Sequence, residues 1–217
     1  MDDLVLYGFW RSIASYRVRV ALRLKKLTFE ERPIDLLAGA QSTPQFSAIN
    51  AARSVPVLVG PGFILTQSQA IIEFLDETYA EPKLLPPDPL ERARSRALAQ
   101  LTIADTHPLI VPSVRQQLHE RFGADDDATT LWARHFLARG LATYETLLAT
   151  TPPAPCINGT TPGLADIAVA SHAVAVKLFG LSLDTAPTVA KLFAHLSELP
   201  AFADSHPLRQ PGAPAPG

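Results

Sequence analysis

Three short polar clusters in this chain set hydroxyl, amide or backbone groups where an anion or another ligand could be held. The first, Arg11-Ser12-Ile13-Ala14-Ser15, joins an apolar run to a segment with helical spacing. At such a junction unpaired backbone N–H groups and the helix dipole favour negative charge, and a serine hydroxyl can donate to it. The plainer use of Ser12 or Ser15 is to cap the helix. In the second cluster, Ser54-Val55-Pro56, a strand opens. Proline cannot donate to a sheet ladder, so it belongs at a strand's first residue or at an edge. A trans Val55–Pro56 bond, the ordinary case, makes this a simple strand start. A cis bond would instead turn the Val55 backbone outward and offer its N–H and C=O to a ligand. The third cluster, Thr66-Gln67-Ser68, lies between a hairpin arm and a helix and reads first as a cap.

Other chemistry-bearing residues carry less. The histidines, at 107, 119, 135, 172, 195 and 206, never fall four residues apart, so a helical metal pair is excluded and no metal is expected. Neither a glycine-rich nucleotide loop nor a GxSxG elbow occurs. Arg17, Arg19 and Arg23 make an arginine-rich helix, expected to pair with acidic residues of the second half of the chain. Cys156 sits in an apolar stretch and reads as a small core residue. As the single cysteine, it excludes a disulfide framework and a cysteine-based zinc site.

Two kinds of element must position these clusters. Residues 4–8 (LVLYG) form a short apolar run consistent with a buried strand, and 16–26 (YRVRVALRLKK) have helical spacing. Residues 27–37 are extended in character, and 55–59 (VPVLV) are strand-like. The GPG at 60–62 turns tightly into a returning arm at 63–65. A helix follows over 68–79, with Ala70, Ile71, Phe74 and Leu75 inward. Residues 81–89 (EPKLLPPDP) hold four prolines, which suit neither helix nor sheet interior. Beyond them, 91–150 is rich in Ala, Leu, Arg and Gln, a helical composition interrupted at His107-Pro108 and Val111-Pro112. A loop at 151–155 precedes further helices at 164–178 and 187–198. The closing RQPGAPAPG is expected to be too rich in proline and glycine to pack. The organisation is an α/β domain over 1–81, a linker over 82–90 and an all-helical domain over 91–217.

Composition narrows the function classes. At 217 residues, 47% hydrophobic and 18% charged, with mean hydropathy +0.12, the chain can bury a sizeable core and is not disordered as a whole. Its net charge of −2 gives no footprint for nucleic acid or an anionic membrane. No run of about 18 uncharged apolar residues marks a membrane span. The opening MDDLVLYGFWR lacks the basic start and long apolar stretch of a signal peptide, so a cytoplasmic protein is expected.

Read together, YGFWRSIASYRVRVAL at 7–22, SVPVL at 54–58, TQSQAIIEFLDETY at 66–79 and LLPPDPLERARSRAL at 84–98 resemble the cytosolic glutathione transferases. With ADIAVAS at 165–171 and SHPLRQPGAP at 205–214, the chain is similar to their zeta class, whose best-known activity is maleylacetoacetate isomerisation. The resemblance spans nearly the whole chain. It implies a thioredoxin-like amino-terminal domain, an all-α carboxy-terminal domain, glutathione as cofactor and a homodimer with contacts between domains of different subunits. It further implies that Ser12 assists the glutathione sulfur, that Gln67 and Ser68 hold the γ-glutamyl end, and that Val55, before Pro56, pairs its backbone with the cysteinyl part. Gln41 aligns with a polar residue that contacts the peptide. A thiol of pKa about 8.5 is only a few per cent ionised at neutral pH. A hydroxyl bond plus a helix N-terminus lowering it by one or two units, about 1.4 to 2.7 kcal/mol, makes the bound thiol a nucleophile.

The departures from the class gather on the acceptor-substrate side. Ile13 and Ala14 stand where the class has a second serine and a cysteine, which argues against disulfide exchange, and Tyr16 stands for a tryptophan. His107-Pro108-Leu109 survive, but Val111 takes an asparagine position. An arginine that helps bind the diacid is replaced near Lys177-Leu178, leaving Lys177 as a point charge. Gly163 takes the cap position before ADI, with Asp166 kept. Three functions remain open: addition of the thiolate to a small electrophile, isomerisation of maleylacetoacetate or maleylpyruvate with Arg11, His107 and Lys177 on the substrate, and glutathione binding without turnover.

Overall fold

The computed structural model describes residues 3–79 and 81–214. The chain divides into two compact units, one of Met1–Leu84 with Leu199–Gly217, the other of Leu85–Glu198.

In the first unit, strand β1 (Leu4–Gly8) alternates fully and partly buried residues, as expected of a strand between two covered faces. Helix α1 (Ile13–Leu24) follows, then β2 (Phe29–Pro33), parallel to β1. A one-turn 3-10 helix (Ala40–Ser42) leads to α2 (Pro44–Ile49). This short helix falls in a stretch that carries no predicted element. Its signal was local: Thr43 caps it by accepting from the Phe46 N–H, and Pro44 occupies the first turn. Strand β3 (Val57–Gly60) runs antiparallel to β1 and pairs with β4 (Phe63–Thr66), giving a sheet ordered β2-β1-β3-β4. Helix α3 (Ser68–Thr78) packs on α1 and buries Ile71, Ile72 and Leu75, while Ala70 is exposed rather than inward.

A buried ion pair ties these layers. Lys25 Nζ donates to Asp76 Oδ1 at 2.8 Å, and the same oxygen accepts the Leu84 N–H at 2.7 Å. The proline-rich stretch is therefore anchored at Leu84, which is itself buried.

The second unit holds α4 (Pro89–Ile103), α5 (His107–Ile110), α6 (Pro112–Phe122), α7 (Asp126–Thr150), α8 (Leu164–Leu178) and α9 (Pro187–Glu198). The breaks before α5 and α6 fall at the two proline pairs. Helix α8 is buried from Leu164 to Val176, packs on α4, α7 and α9, and supplies the core of small Ala and Val side chains. Asp166 closes its first turn: Oδ2 accepts from Gly163 N–H and Oδ1 from Ile157 N–H, both at 2.9 Å. Among the described residues no helix is long and apolar enough to cross a membrane.

The last segment departs from the expected helical domain over 91–217. Helix α10 (Pro200–Ala203) packs on α1, and the residues from Leu199 onward belong to the sheet unit. Nor is RQPGAPAPG loose throughout. Gln210 is buried, and its Nε2 donates to Asp204 O at 2.8 Å and His206 O at 2.9 Å. An amide side chain with two backbone acceptors compensates for the missing proline donors. Residues 215–217 lie outside the described residues.

Candidate functional site

The strand registers bring the polar clusters to one end of the sheet. Gly8 lies opposite Pro33, and Ile34 N–H donates to Gly8 O at 2.7 Å. Tyr7 lies opposite Val57, and Val57 opposite Thr66. The chain therefore leaves β1 toward Arg11 and Ser12, leaves β2 toward Gln41, enters β3 from Val55-Pro56 and leaves β4 into Gln67-Ser68, all at the same end.

Ser12 caps α1: its Oγ accepts from Ser15 N–H at 3.1 Å. That bond uses a lone pair and leaves the hydroxyl proton for another acceptor, so capping and donation to a sulfur coexist. The turn before it is held by buried polar groups. Arg19 Nη2 donates to Phe9 O at 3.1 Å, and Ser12 N–H donates to the same oxygen at 3.0 Å. Glu31 fixes Arg19 through two bonds from Nε at 2.9 Å. Gly8 makes room for this: a Cβ there would lie 2.8 Å from Glu31 Oε1.

The Val55–Pro56 bond is cis. Val55 lies beyond the ladder, which starts at Val57. Gln67 takes φ 68° and makes no side-chain cap bond, so the plain reading of this cluster as a cap fails. A non-glycine residue in the left-handed region is uncommon and costs about 1–3 kcal/mol. Ser68 opens α3, is buried, and accepts from Arg17 Nε at 3.1 Å. Gln41 Oε1 is buried with no hydrogen-bond partner among the described residues, as suits an acceptor kept for a ligand. Tyr16 does not compete with Ser12, because burial pushes its phenol up and keeps it protonated.

The arginines pair nearer home than expected. Arg19 takes Glu31, Arg17 takes Ser68, and Arg23 stacks over Phe29 and feels Glu31 and Asp204. Asp204 comes from the second half of the chain, brought back by the closing segment.

In the helical unit, His107 opens α5 and is half-buried. Lys177, at the end of α8, is exposed, with Nζ 5.5 Å from the Phe193 ring centroid. It lines a hollow of about 460 Å³ together with Ser182, Asp184 and Ser197. Cys156 is 1% exposed, and burial pushes its thiol up to about 12, with the Asp166 charge adding to the shift. It behaves as the inert core residue its surroundings suggested.

A four-stranded mixed sheet with α1 and α3 packed together, a cis-proline strand start and a polar cluster at one sheet end define the amino-terminal domain of a glutathione transferase. The family model described as "Glutathione S-transferase, N-terminal domain" matches residues 2–77. Maleylacetoacetate isomerase of Pseudomonas aeruginosa is 40% identical over 213 residues, covering 97% of this chain and 99% of that protein. A maleylacetoacetate isomerase crystal structure from Methylobacterium extorquens AM1, with bound malonate and GSH, superposes with TM-score 0.94 at 42% identity, covering 97% of this chain and 100% of that one. A maleylpyruvate isomerase structure, described as a bacterial glutathione transferase in the zeta class, gives TM-score 0.94 at 36% identity over the same shares. The chain belongs to the zeta-class glutathione transferases, the family of the maleylacetoacetate and maleylpyruvate isomerases.

Proposed function

We propose that this enzyme binds glutathione at the sheet end and uses its thiolate to isomerise a small cis-dienoic diacid of the maleylacetoacetate or maleylpyruvate kind. The observation that carries the reading is the arrival of the segments bearing Ser12, Val55, Gln67 and Ser68 at one end of the sheet. Ser12 donates its free hydroxyl proton to the sulfur, and the N-terminus of α1 adds its dipole. Val55 offers its backbone to the cysteinyl part, with Pro56 fixing the turn. Gln67 and Ser68 hold the γ-glutamyl end, and Gln41 contacts the peptide.

In the reaction, the thiolate forms a C–S bond at one carbon of the cis double bond, and the displaced electron pair moves into the conjugated carbonyl. Rotation follows about what is now a single bond. The pair then returns, the C–S bond breaks, and glutathione leaves unchanged. The dicarboxylate needs positive charge, for which Arg11 and Lys177 are the candidates, with His107 a further residue on the substrate. The malonate and GSH bound together in the Methylobacterium relative support a diacid partner. Residues 1–81 then act as the glutathione-binding domain and 91–198 as the substrate-binding one, joined by a linker over 82–90. The enzyme works as a cytoplasmic homodimer.

A second reading, thiolate addition to an electrophile without carboxylates, is favoured by Lys177-Leu178, which offer a point charge and no bidentate fork of their own. Glutathione-dependent isomerisation of maleylacetoacetate and maleylpyruvate, assayed beside an aryl halide and with Ser12→Ala, separates the two. Diacid turnover lost in the variant supports the isomerase. Aryl halide turnover alone supports the second reading. Glutathione binding without either reaction would refute both.

A further inference from the structure

Arg17 is 1% exposed, on the second turn of α1, and its Nε–H donates to the Ser68 hydroxyl of another helix at 3.1 Å. An arginine has only donors, whereas a hydroxyl has one donor and two lone pairs. The bond therefore fixes how Ser68 is used. With a lone pair committed to Arg17, the hydroxyl proton turns away from the guanidinium and toward an acceptor. Ser68 is also the first residue of α3, where backbone N–H groups lack partners within the helix. A fully charged group one hydroxyl behind a helix start makes that start attractive to a carboxylate, because a bond polarised by a buried cation is stronger than a neutral one.

We infer that Arg17 is a positioning residue for glutathione: it locks Ser68 as a donor and sets the affinity for the α-carboxylate of the γ-glutamyl end. The inference rests on the reading of Gln67 and Ser68 given above. It predicts an effect on one end of the tripeptide and none on the sulfur, which Ser12 serves from the start of α1.

The test compares glutathione with its analogue 4-aminobutyryl-cysteinyl-glycine, which lacks only that carboxylate. Dissociation constants are measured by calorimetry for the wild type, Ser68→Ala, Arg17→Met and Arg17→Lys. The wild type should prefer glutathione, and Ser68→Ala should erase most of that preference. Arg17→Met should weaken glutathione about tenfold or more, the scale of one hydrogen bond to a charged group, and leave the analogue unchanged. Arg17→Lys, which keeps the charge without the fixed Nε–H, should fall between. The KM for glutathione should follow, while kcat and the pKa of the bound thiol stay put. Equal weakening of both ligands by Arg17→Met would reduce Arg17 to a packing role and overturn the inference. If Arg17→Met fails to fold, Arg17→Lys decides, and an undiminished preference in it overturns the inference too. Should Ser68→Ala keep the full preference, the reading of the γ-glutamyl site itself falls.

Discussion

Replacing Ser12 by glycine separates the cap that its oxygen makes from the donation to sulfur proposed for the same hydroxyl. As a cap, Ser12 Oγ accepts from Ser15 N–H at 3.1 Å. Glycine caps almost as well, so the stability lost is only a few tenths of a kcal/mol. In the proposed function the same hydroxyl also donates to the bound thiolate, and glycine cannot replace it there. If that bond supplies about one unit of the lowering it shares with the helix N-terminus, its loss shifts the thiol–thiolate ratio by about 10-fold, or about 1.4 kcal/mol. The assay is a pH titration of the ultraviolet absorbance of glutathione bound to each protein, alongside the pH profile of kcat/KM. In Ser12→Gly the rise in both should move to higher pH by that amount, with thermal unfolding nearly unchanged. Ser12→Ala should show the same shift and a further cap loss of about 0.5–2 kcal/mol. A pH profile that stays in place in Ser12→Gly would refute the reasoning and leave Ser12 as a cap alone.

Three further outcomes are expected. Glu31→Ala leaves the Arg19 guanidinium, 0% exposed, without its carboxylate, and should cost about 3–5 kcal/mol in denaturant unfolding and lower kcat/KM by loosening the turn before Ser12. Gly140→Ala sets a Cβ 2.6 Å from His172 Cε1 and 2.8 Å from Thr106 Oγ1, and should destabilise by about 1–3 kcal/mol in the same measurement. Burial lowers His172 from 6.5 to about 4, so the unfolded chain takes up the proton first. Its contribution is complete above pH 6.5 and declines as pH falls toward 4, by about 3 kcal/mol. Asp166, raised to about 6 by burial, works in the opposite direction over the same range, so the difference between wild type and His172→Asn in urea titrations isolates the histidine. Parallel stability curves would refute its buried, neutral state.

The elements with strong apolar signals were legible before the structure: the strand at 4–8, the hairpin, and α8 with its mostly apolar Ala and Val run. What stayed hidden depends on distance in the chain. Helix α2 was missed because only Thr43 and Pro44 announce it, and six residues carry little periodicity. The inward face of α3 differs by one position, since Ala70 fits an apolar pattern but is exposed, while Ile72 is buried. The clusters holding Ser12, Val55 and Ser68 were visible at element junctions, but bringing them to one sheet end required the strand register. Gln67 gave no sign of its positive φ, because glutamine is not a residue that turns select for. Arg17 hid among Arg19 and Arg23, where nothing in the spacing says which of them reaches across to another helix.

The return of the chain to the sheet unit after Glu198 makes the helical unit an insertion in the course of the first. During synthesis, the sheet, α1 and α3 emerge early but stay incomplete. The α10 turn that covers α1, the Asp204 carboxylate beside Arg23 and the tied-down Gln210 come last. At about 5–20 residues per second, roughly ten seconds of translation separate Leu84 from Leu199. The first-made unit thus waits for the last-made residues to close it. Ribosome stalling or premature termination anywhere in that interval leaves the face of α1 bare, whatever the state of the helices that follow.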